Sequence, residues 1–429
     1  MVKDFNPKSS AKKKPVKAKG KKKPEIEKVK PVAIAPKAKK AESHSVKKKK
    51  KKPGFFTELF NTDRIPGEID YTFLVLVGVL VVFGLIMLLS ASTPKALSLY
   101  GRSYHFFLKQ LFFVVLGAGL MVGLSLIDYR KLKPYTNILM IVCTILLIMV
   151  FLPRIGISRN GSRRWINLIF IDFQPSELMK VSIAMYFAAM IENNKWKLNE
   201  AKGFLKYIGW IVIVAALLLL ETHLSGTIVI CGIALCVLLA GGANAGIIVG
   251  GGAGALVAVV AVVATFLPTR MARLTNFFNP FTDMQGTGYQ TAQSLYAIGS
   301  GGIFGKGLGE SVQKLSFLPE PYNDFIFAVI CEELGFVGAV FLIGLFITLI
   351  LRGLKIAMEA DDVFGSLTVV GIMAQVAIQT IFNIGVATAS IPNTGVSLPF
   401  FSYGGTALML LMAEMGIVLS VSRYSKKKK

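Results

Sequence analysis

The chain has 429 residues, is 53% hydrophobic and carries a formal net charge of +24. Residues 1–53 hold 21 Lys against four acids (Asp4, Glu25, Glu27, Glu42), a net +17, and the other 376 residues hold 27 basic and 20 acidic side chains, a net +7. The body is therefore nearly neutral and strongly apolar, which excludes a soluble enzyme with one packed core and a basic nucleic-acid-binding body.

Residues 1–53 are rich in Lys, Ala and Pro, with Phe5 as the one aromatic. Such a segment has too little apolar surface to offset chain entropy, so it reads as a disordered tail. It is not a secretory signal, because a long charged run precedes the first apolar span. A short juxtamembrane segment, 54–70, leads into the body.

Runs long enough to cross a bilayer need about 17–25 apolar residues. They fall near 71–91, 107–127, 135–152, 175–191, 204–221, 224–241, 245–267, 325–351, 364–388 and 403–422. The expected fold is an all-α polytopic membrane domain of about ten helices over 71–422, since unpaired backbone cannot sit in lipid. A tail of +17 crosses poorly, so the N-terminus is expected in the cytoplasm. An even span count returns the C-terminus there, where the basic segment 423–429 agrees. The tail should lie on anionic inner-leaflet lipids; no nucleic-acid partner is expected. Inside loops carry Arg130, Lys131, Lys133, Lys195, Lys197, Lys202, Lys206, Arg352 and Lys355.

The outer side is not poor in cations. One outer loop has Arg154, Arg159, Arg163 and Arg164; another has Arg270, Arg273, Lys306 and Lys314. These are either tolerated exceptions to the charge bias or a site for an anion such as pyrophosphate. The first loop continues through Trp165, expected in an interfacial segment at the headgroup level. Pro175 is placed to start a helix. Glu177 and Lys180 share a face of it three residues apart, and are read as an ion pair that locks the helix and shapes a cavity.

The large outer loop, 268–324, lies between the seventh and eighth spans and is rich in Gly. Loops of that length tend to be functional. Asp324 stands at its end, where an apolar helix begins. It reads either as an N-cap or as a general base. Glu332 and Glu333 follow as pairing groups. Gln375, Gln379 and Asn383 recur every four residues, one amide stripe that either holds the bundle or lines a polar cavity. Residues 390–405 contain two Pro and three Gly and no charge, which suits a lining loop. Cys143, Cys231, Cys236 and Cys331 read as buried thiols, and His44, His105 and His223 are too scattered for a metal site.

Three segments taken together resemble one family. They are Arg164-Trp165 with Gln174-Pro175-Ser176-Glu177; Gly288-Tyr289-Gln290 through Gln293-Ser294 to Asp324-Phe325-Ile326-Phe327 and Glu332-Glu333-Leu334-Gly335; and Pro399-Phe400-Phe401-Ser402-Tyr403-Gly404-Gly405. The pattern is similar to the SEDS family (shape, elongation, division and sporulation) over about residues 68–424. Gln293 to Gly299 and Ser311 to Lys314 look more like its FtsW/SpoVE branch than its RodA branch. One departure is Tyr322-Asn323, where the family often has His-Thr.

The resemblance implies a peptidoglycan glycosyltransferase in the cytoplasmic membrane of a bacterium, at the division septum for the FtsW branch. The substrate would be lipid II, a disaccharide-peptide on undecaprenyl pyrophosphate. The family's essential loop Asp maps onto Asp324, so the base reading outranks the cap. Arg163, Arg164, Trp165, Arg273, Gln293, Ser294, Glu320 and Ser402 are candidate substrate contacts. A divalent cation (Mg or Mn) could assist the arginines at the pyrophosphate; no organic cofactor is implied. A class B penicillin-binding protein and other divisome proteins would be partners. The competing readings are a lipid II flippase, which needs no outer base, and a scaffold acting only through partners.

Overall fold

The computed structural model describes residues 67–159, 162–167, 172–194, 198, 200–244, 246, 281, 286 and 288–425. The tail, Arg270, Arg273 and nearly all of the expected span 245–267 lie outside the described residues.

The other nine expected spans all coincide with helices. These are α1 (Tyr71–Tyr100), α2 (His105–Leu126), a 3-10 turn (Tyr129–Tyr135) running into α3 (Thr136–Met149), α4 (Pro175–Asn194), α5 (Ala201–Leu220), α6 (Leu224–Ala240), α8 (Ile326–Glu359), α9 (Val363–Ala387) and α10 (Gly405–Arg423). Between α6 and α8 the outer loop contributes a further helix, α7 (Tyr289–Gly301). Seven of these stretches are long and apolar enough to cross a membrane. Of the other two, α4 carries Glu177, Lys180 and Glu192 and is buried along most of its length, and α6 has 17 residues. The chain is thus a helical, multi-pass membrane protein.

One element departs from the all-α expectation. Gly156–Arg159, Ser162–Asn167 and Asp172–Phe173 form β1, β2 and β3, an antiparallel sheet in the order β1-β2-β3. The stretch expected at the headgroup level satisfies its backbone by pairing with itself. The cysteines differ in part from expectation too: Cys143 and Cys331 are buried, whereas Cys231 and Cys236 are half-buried on α6.

The helices at the centre are α9 and α10, which are mostly enclosed by others, while α2, α3 and α5 present most of their surface outward. The bundle has two chemically distinct ends. At the end where the described chain begins and finishes, Gly67 N–H donates to the Arg423 carbonyl. Asp70 caps α1 by accepting from Phe73 N and also pairs with Arg352 at 2.8 Å. Arg130 pairs with Asp361 and Asp362, and Lys133 with Glu192. The cations of this end therefore staple the short loops to helix termini. The opposite, loop end gathers the α1–α2 turn, the sheet, the α5–α6 turn, α7 and the segment 388–404.

Helix α8 is broken at Gly335, which has φ 67° and ψ −166°. A break in a membrane helix leaves backbone groups that need partners. They come from the outer loop. Phe336 and Val337 N–H donate to the carbonyls of Gly302 and Ile303, and Lys306 and Gly307 N–H donate to those of Glu332 and Glu333. The approach is so close that a Cβ on Gly335 would lie 2.3 Å from Gly305 N, which only glycine permits.

Candidate active site

Asp324 sits in the turn that immediately precedes α8 and is half-buried. The N-cap position is Phe325, and no side-chain cap bond is made. The turn is held from three sides. Asn383 of α9 donates from Nδ2 to the Asp324 carbonyl and to the Val396 carbonyl, both at 2.8 Å. Ser402 donates to the Asn323 carbonyl at 2.7 Å while accepting from Leu398 N. Tyr403 N–H donates to the Tyr322 carbonyl at 2.9 Å. Each bond joins the turn to the 388–404 segment or to α9, so the position of Asp324 is set by tertiary contacts. On the side-chain side, Gly395 (φ 70°) lies so near that a Cβ there would be 3.3 Å from Asp324 Oδ2.

An aromatic group closes one flank. Phe106 at the start of α2 stacks on Tyr322 (centroids 4.9 Å) and meets Tyr403 edge-on at 5.0 Å. Burial, with Glu320 adding to it, pushes the Tyr322 phenol up to about 12, so this ring stays neutral beside the turn. The expected family departure at Tyr322-Asn323 thus supplies packing and two backbone acceptors while leaving Asp324 in place.

The remaining expected residues separate into three groups. Those that join the Asp324 region through backbone contacts are Asn383 and Ser402, with Ser294 close by. Ser294 donates to the Ala387 carbonyl at 2.7 Å and so fastens α7 to α9. Ser294 and Ser402 are expected substrate contacts; both hydroxyls donate to the protein's own backbone, which holds them at the site. Gln293 is half-buried on α7, where neighbouring Gln290 accepts from Asn393 at 2.8 Å. Glu320 is exposed and accepts from Asn323 Nδ2.

The second group is the cations. Arg163 is exposed on β2, and Trp165 on the same strand is half-buried. Arg164 donates from Nη2 to the Thr222 carbonyl at 2.6 Å, which ties the sheet to the α5–α6 turn. Lys306 and Lys314, which in sequence read either as tolerated exceptions to the charge bias or as part of an anion site, each meet a buried acid. Lys306 pairs with Glu332 at 2.6 Å and Lys314 with Glu333 at 2.7 Å. Glu332 also accepts from Ser311 Oγ and from Val312 and Gln313 N–H; Glu333 accepts from Ser90 of α1. The physical reason is desolvation: two carboxylates with no exposed surface need cations at hand. Arg273 lies outside the described residues.

The third group lies deeper in the bundle. Glu177 and Lys180 pair at 2.7 Å as the spacing implied. Gln375 donates to Glu414 of α10 at 2.9 Å, and Gln379 is buried between Gln375 and Asn383 on the same face. The amide stripe therefore runs from a buried acid to the Asp324 turn. Glu414 was passed over in sequence, though a lone acid inside an apolar run was signal enough. Glu221 was also missed. It is buried in the α5–α6 turn, and neither carboxylate oxygen has a hydrogen-bond partner among the described residues. Burial pushes its carboxyl up to about 8, against the opposing pull of Arg164.

Among the described residues no group of three or more His, Cys, Asp or Glu converges.

With this geometry in hand, the relatives decide the class. A family model described as Cell cycle protein, covering FtsW, RodA and SpoVE, matches residues 71–427. The chain belongs to this family. It is 38% identical over 358 residues to stage V sporulation protein E of Bacillus subtilis, covering 83% of this chain and 98% of that one. It is 38% identical over 350 residues to the probable peptidoglycan glycosyltransferase FtsW of Coxiella burnetii, covering 80% and 93%. The fold matches a solved structure described as "Structural coordination of polymerization and crosslinking by a peptidoglycan synthase complex", with TM-score 0.71, 27% identity, and coverage of 84% and 99%. It also matches the rod shape determining protein RodA of Thermus thermophilus, with TM-score 0.61, 27% identity, and coverage of 83% and 98%.

Proposed function

We propose that this FtsW/RodA/SpoVE-family chain is a peptidoglycan glycosyltransferase that polymerises lipid II at the outer face of the cytoplasmic membrane, for septal synthesis in cell division. The observation that carries the mechanism is the anchoring of the Asp324 turn by Asn383, Ser402 and Tyr403, which leaves its carboxylate facing the lining loop at Gly395.

Asp324 takes the proton from the 4-hydroxyl of the acceptor sugar as that oxygen attacks the anomeric carbon of the lipid-linked donor. The bond to the pyrophosphate oxygen breaks with inversion, and undecaprenyl pyrophosphate leaves. Positive charge near the leaving group stabilises this step. Arg163, exposed on β2, is our candidate for it, with Arg164 on the same strand. A membrane body suits a substrate whose polyprenyl chain stays in the bilayer.

The chain's similarity to a synthase complex of polymerisation and crosslinking supports a cross-linking partner, a class B penicillin-binding protein. The loop end is then the outer end, and the end with the Asp70–Arg352 pair faces the cytoplasm. The test is a lipid II polymerisation assay with and without the partner. Asp324→Asn should abolish glycan product while the protein remains folded and partner-bound. Undiminished product would remove the base assignment.

A further inference from the structure

The outer loop carries large apolar side chains on its surface. Ile303 is 63% exposed and Phe304 82%. Leu308 is exposed as well. These three flank the strip of loop that fills the break in α8. From that break onward, α8 exposes Phe336, Val337 and Phe341, whereas its first turns, 326–333, are buried by protein. The exposed stripe of α8 and the exposed edge of the loop are therefore neighbours, joined through the Phe336–Gly302 and Val337–Ile303 backbone bonds.

The level of this junction can be read along the helix. Arg352 is paired with Asp70 at the polar boundary of the opposite end. Sixteen residues separate Phe336 from Arg352, and at about 1.5 Å per residue they span about 24 Å. That is most of the ~30 Å hydrocarbon thickness. The loop edge thus falls at the far margin of the apolar layer.

Immersion there requires paired backbone and neutralised charge. Five backbone groups of this strip and its cation have partners. Gly302 and Ile303 carbonyls accept from α8, Gly305 N–H donates to the Gly301 carbonyl, and Lys306 and Gly307 N–H donate back to α8. Lys306 is neutralised by Glu332.

We propose that the 303–308 edge of the outer loop is a membrane-seated element, with Ile303, Phe304 and Leu308 in the acyl-chain boundary of the leaflet at the loop end. This rests on the membrane orientation proposed above. It would hold the segment leading to Asp324 at a fixed depth, and give a lipid-linked substrate a continuous apolar shelf along α8. Apolar segments seated this way lie ~5–10 Å into the headgroup and acyl boundary.

The test reads immersion and is independent of glycan synthesis. Phe304→Trp is placed in full-length protein in nanodiscs of plain or brominated phosphatidylcholine, without any partner. The emission added over the unsubstituted chain should be blue-shifted. It should lose most of its intensity in the brominated lipid, as should that of Phe336→Trp on α8. Water-like emission at 304, unquenched by brominated lipid while 336 is quenched, would overturn the proposal and point to a protein partner as the cover of this edge. Ile303→Trp repeats the measurement should the first variant express poorly; the same two outcomes decide it. Loss of polymerisation in Asp324→Asn bears on the chemistry alone, so the two readings fail separately.

Discussion

Asn383 is the side chain that couples the centre of the bundle to the Asp324 turn, and its replacement gives a sharp test. Asn383→Leu keeps approximate volume and removes both Nδ2 bonds. The carbonyls of Asp324 and Val396 then lose their donor at a site with no exposed surface at residue 383. A buried acceptor left unsatisfied costs about 1–3 kcal/mol. Interhelical hydrogen bonds in membrane proteins average about 0.6 kcal/mol, because the unfolded reference also finds partners. The loop-end location lies between these regimes, so a loss of about 2–4 kcal/mol is expected for the pair. Catalysis should suffer more than stability. A displacement of about 1 Å in a catalytic group can cost on the order of 100-fold. Single-turnover polymerisation of lipid II should therefore slow by about 100-fold, with substrate binding changed less and the thermal transition lowered. Gln379→Leu, one turn away on the same face, is the control and should leave the rate much closer to wild type. Full polymerisation by Asn383→Leu with an unshifted transition would refute the claim that this amide positions Asp324.

Three further outcomes are expected. Gly395→Ala places a methyl 3.3 Å from Asp324 Oδ2 at φ 70°, so polymerisation should fall in the same assay while the protein still folds. Lys314→Met strands the Glu333 carboxylate with Ser90 as its remaining side-chain partner, and should cost about 3–5 kcal/mol of stability. The double variant Lys314→Met with Glu333→Met should recover much of it; thermal unfolding in detergent checks both, and a double variant no better than the single one would refute the pairing argument. Glu221, with its carboxyl pushed up to about 8 by burial, binds its proton more tightly in the folded chain. Stability should therefore fall as pH rises from the ordinary carboxylate range to about 8, and Glu221→Gln should flatten that slope. Parallel pH slopes for the two proteins would refute the assignment.

The sequence located the helices well because the rule behind them is local. A backbone in lipid must satisfy itself within one segment, so apolar length alone marks a helix. The start of α4 at Pro175 and the Glu177–Lys180 pair were legible for similar reasons: each depends on neighbours within a few residues. The base reading of Asp324 came from the family resemblance, because the contacts that fix its turn come from α9 and the 388–404 segment. What the sequence left open has the opposite cause. The role of Lys306 and Lys314 stayed open in sequence because Glu332 and Glu333 lie 26 and 19 residues further along the chain. The carbonyls that Ser294 and Ser402 bind belong to Ala387 and Asn323, 93 and 79 residues away in the chain. The sheet at 156–173 was missed because the span-by-span reading had no signal for a short hairpin between helices.

By itself, then, the sequence determined that the charge is divided, +17 in the tail and +7 in the body, that the body is a helical membrane domain, and that one acid stands where a loop meets an apolar helix. Only the tertiary structure decided what the body's cations do. Lys306 and Lys314 neutralise buried carboxylates, Arg164 ties the sheet to the α5–α6 turn, and Arg163 is left facing outward. Apolar length is a property of a segment, whereas the partner of a charge is a property of the fold. In a medium that penalises every unpaired ion, the fold has the final say.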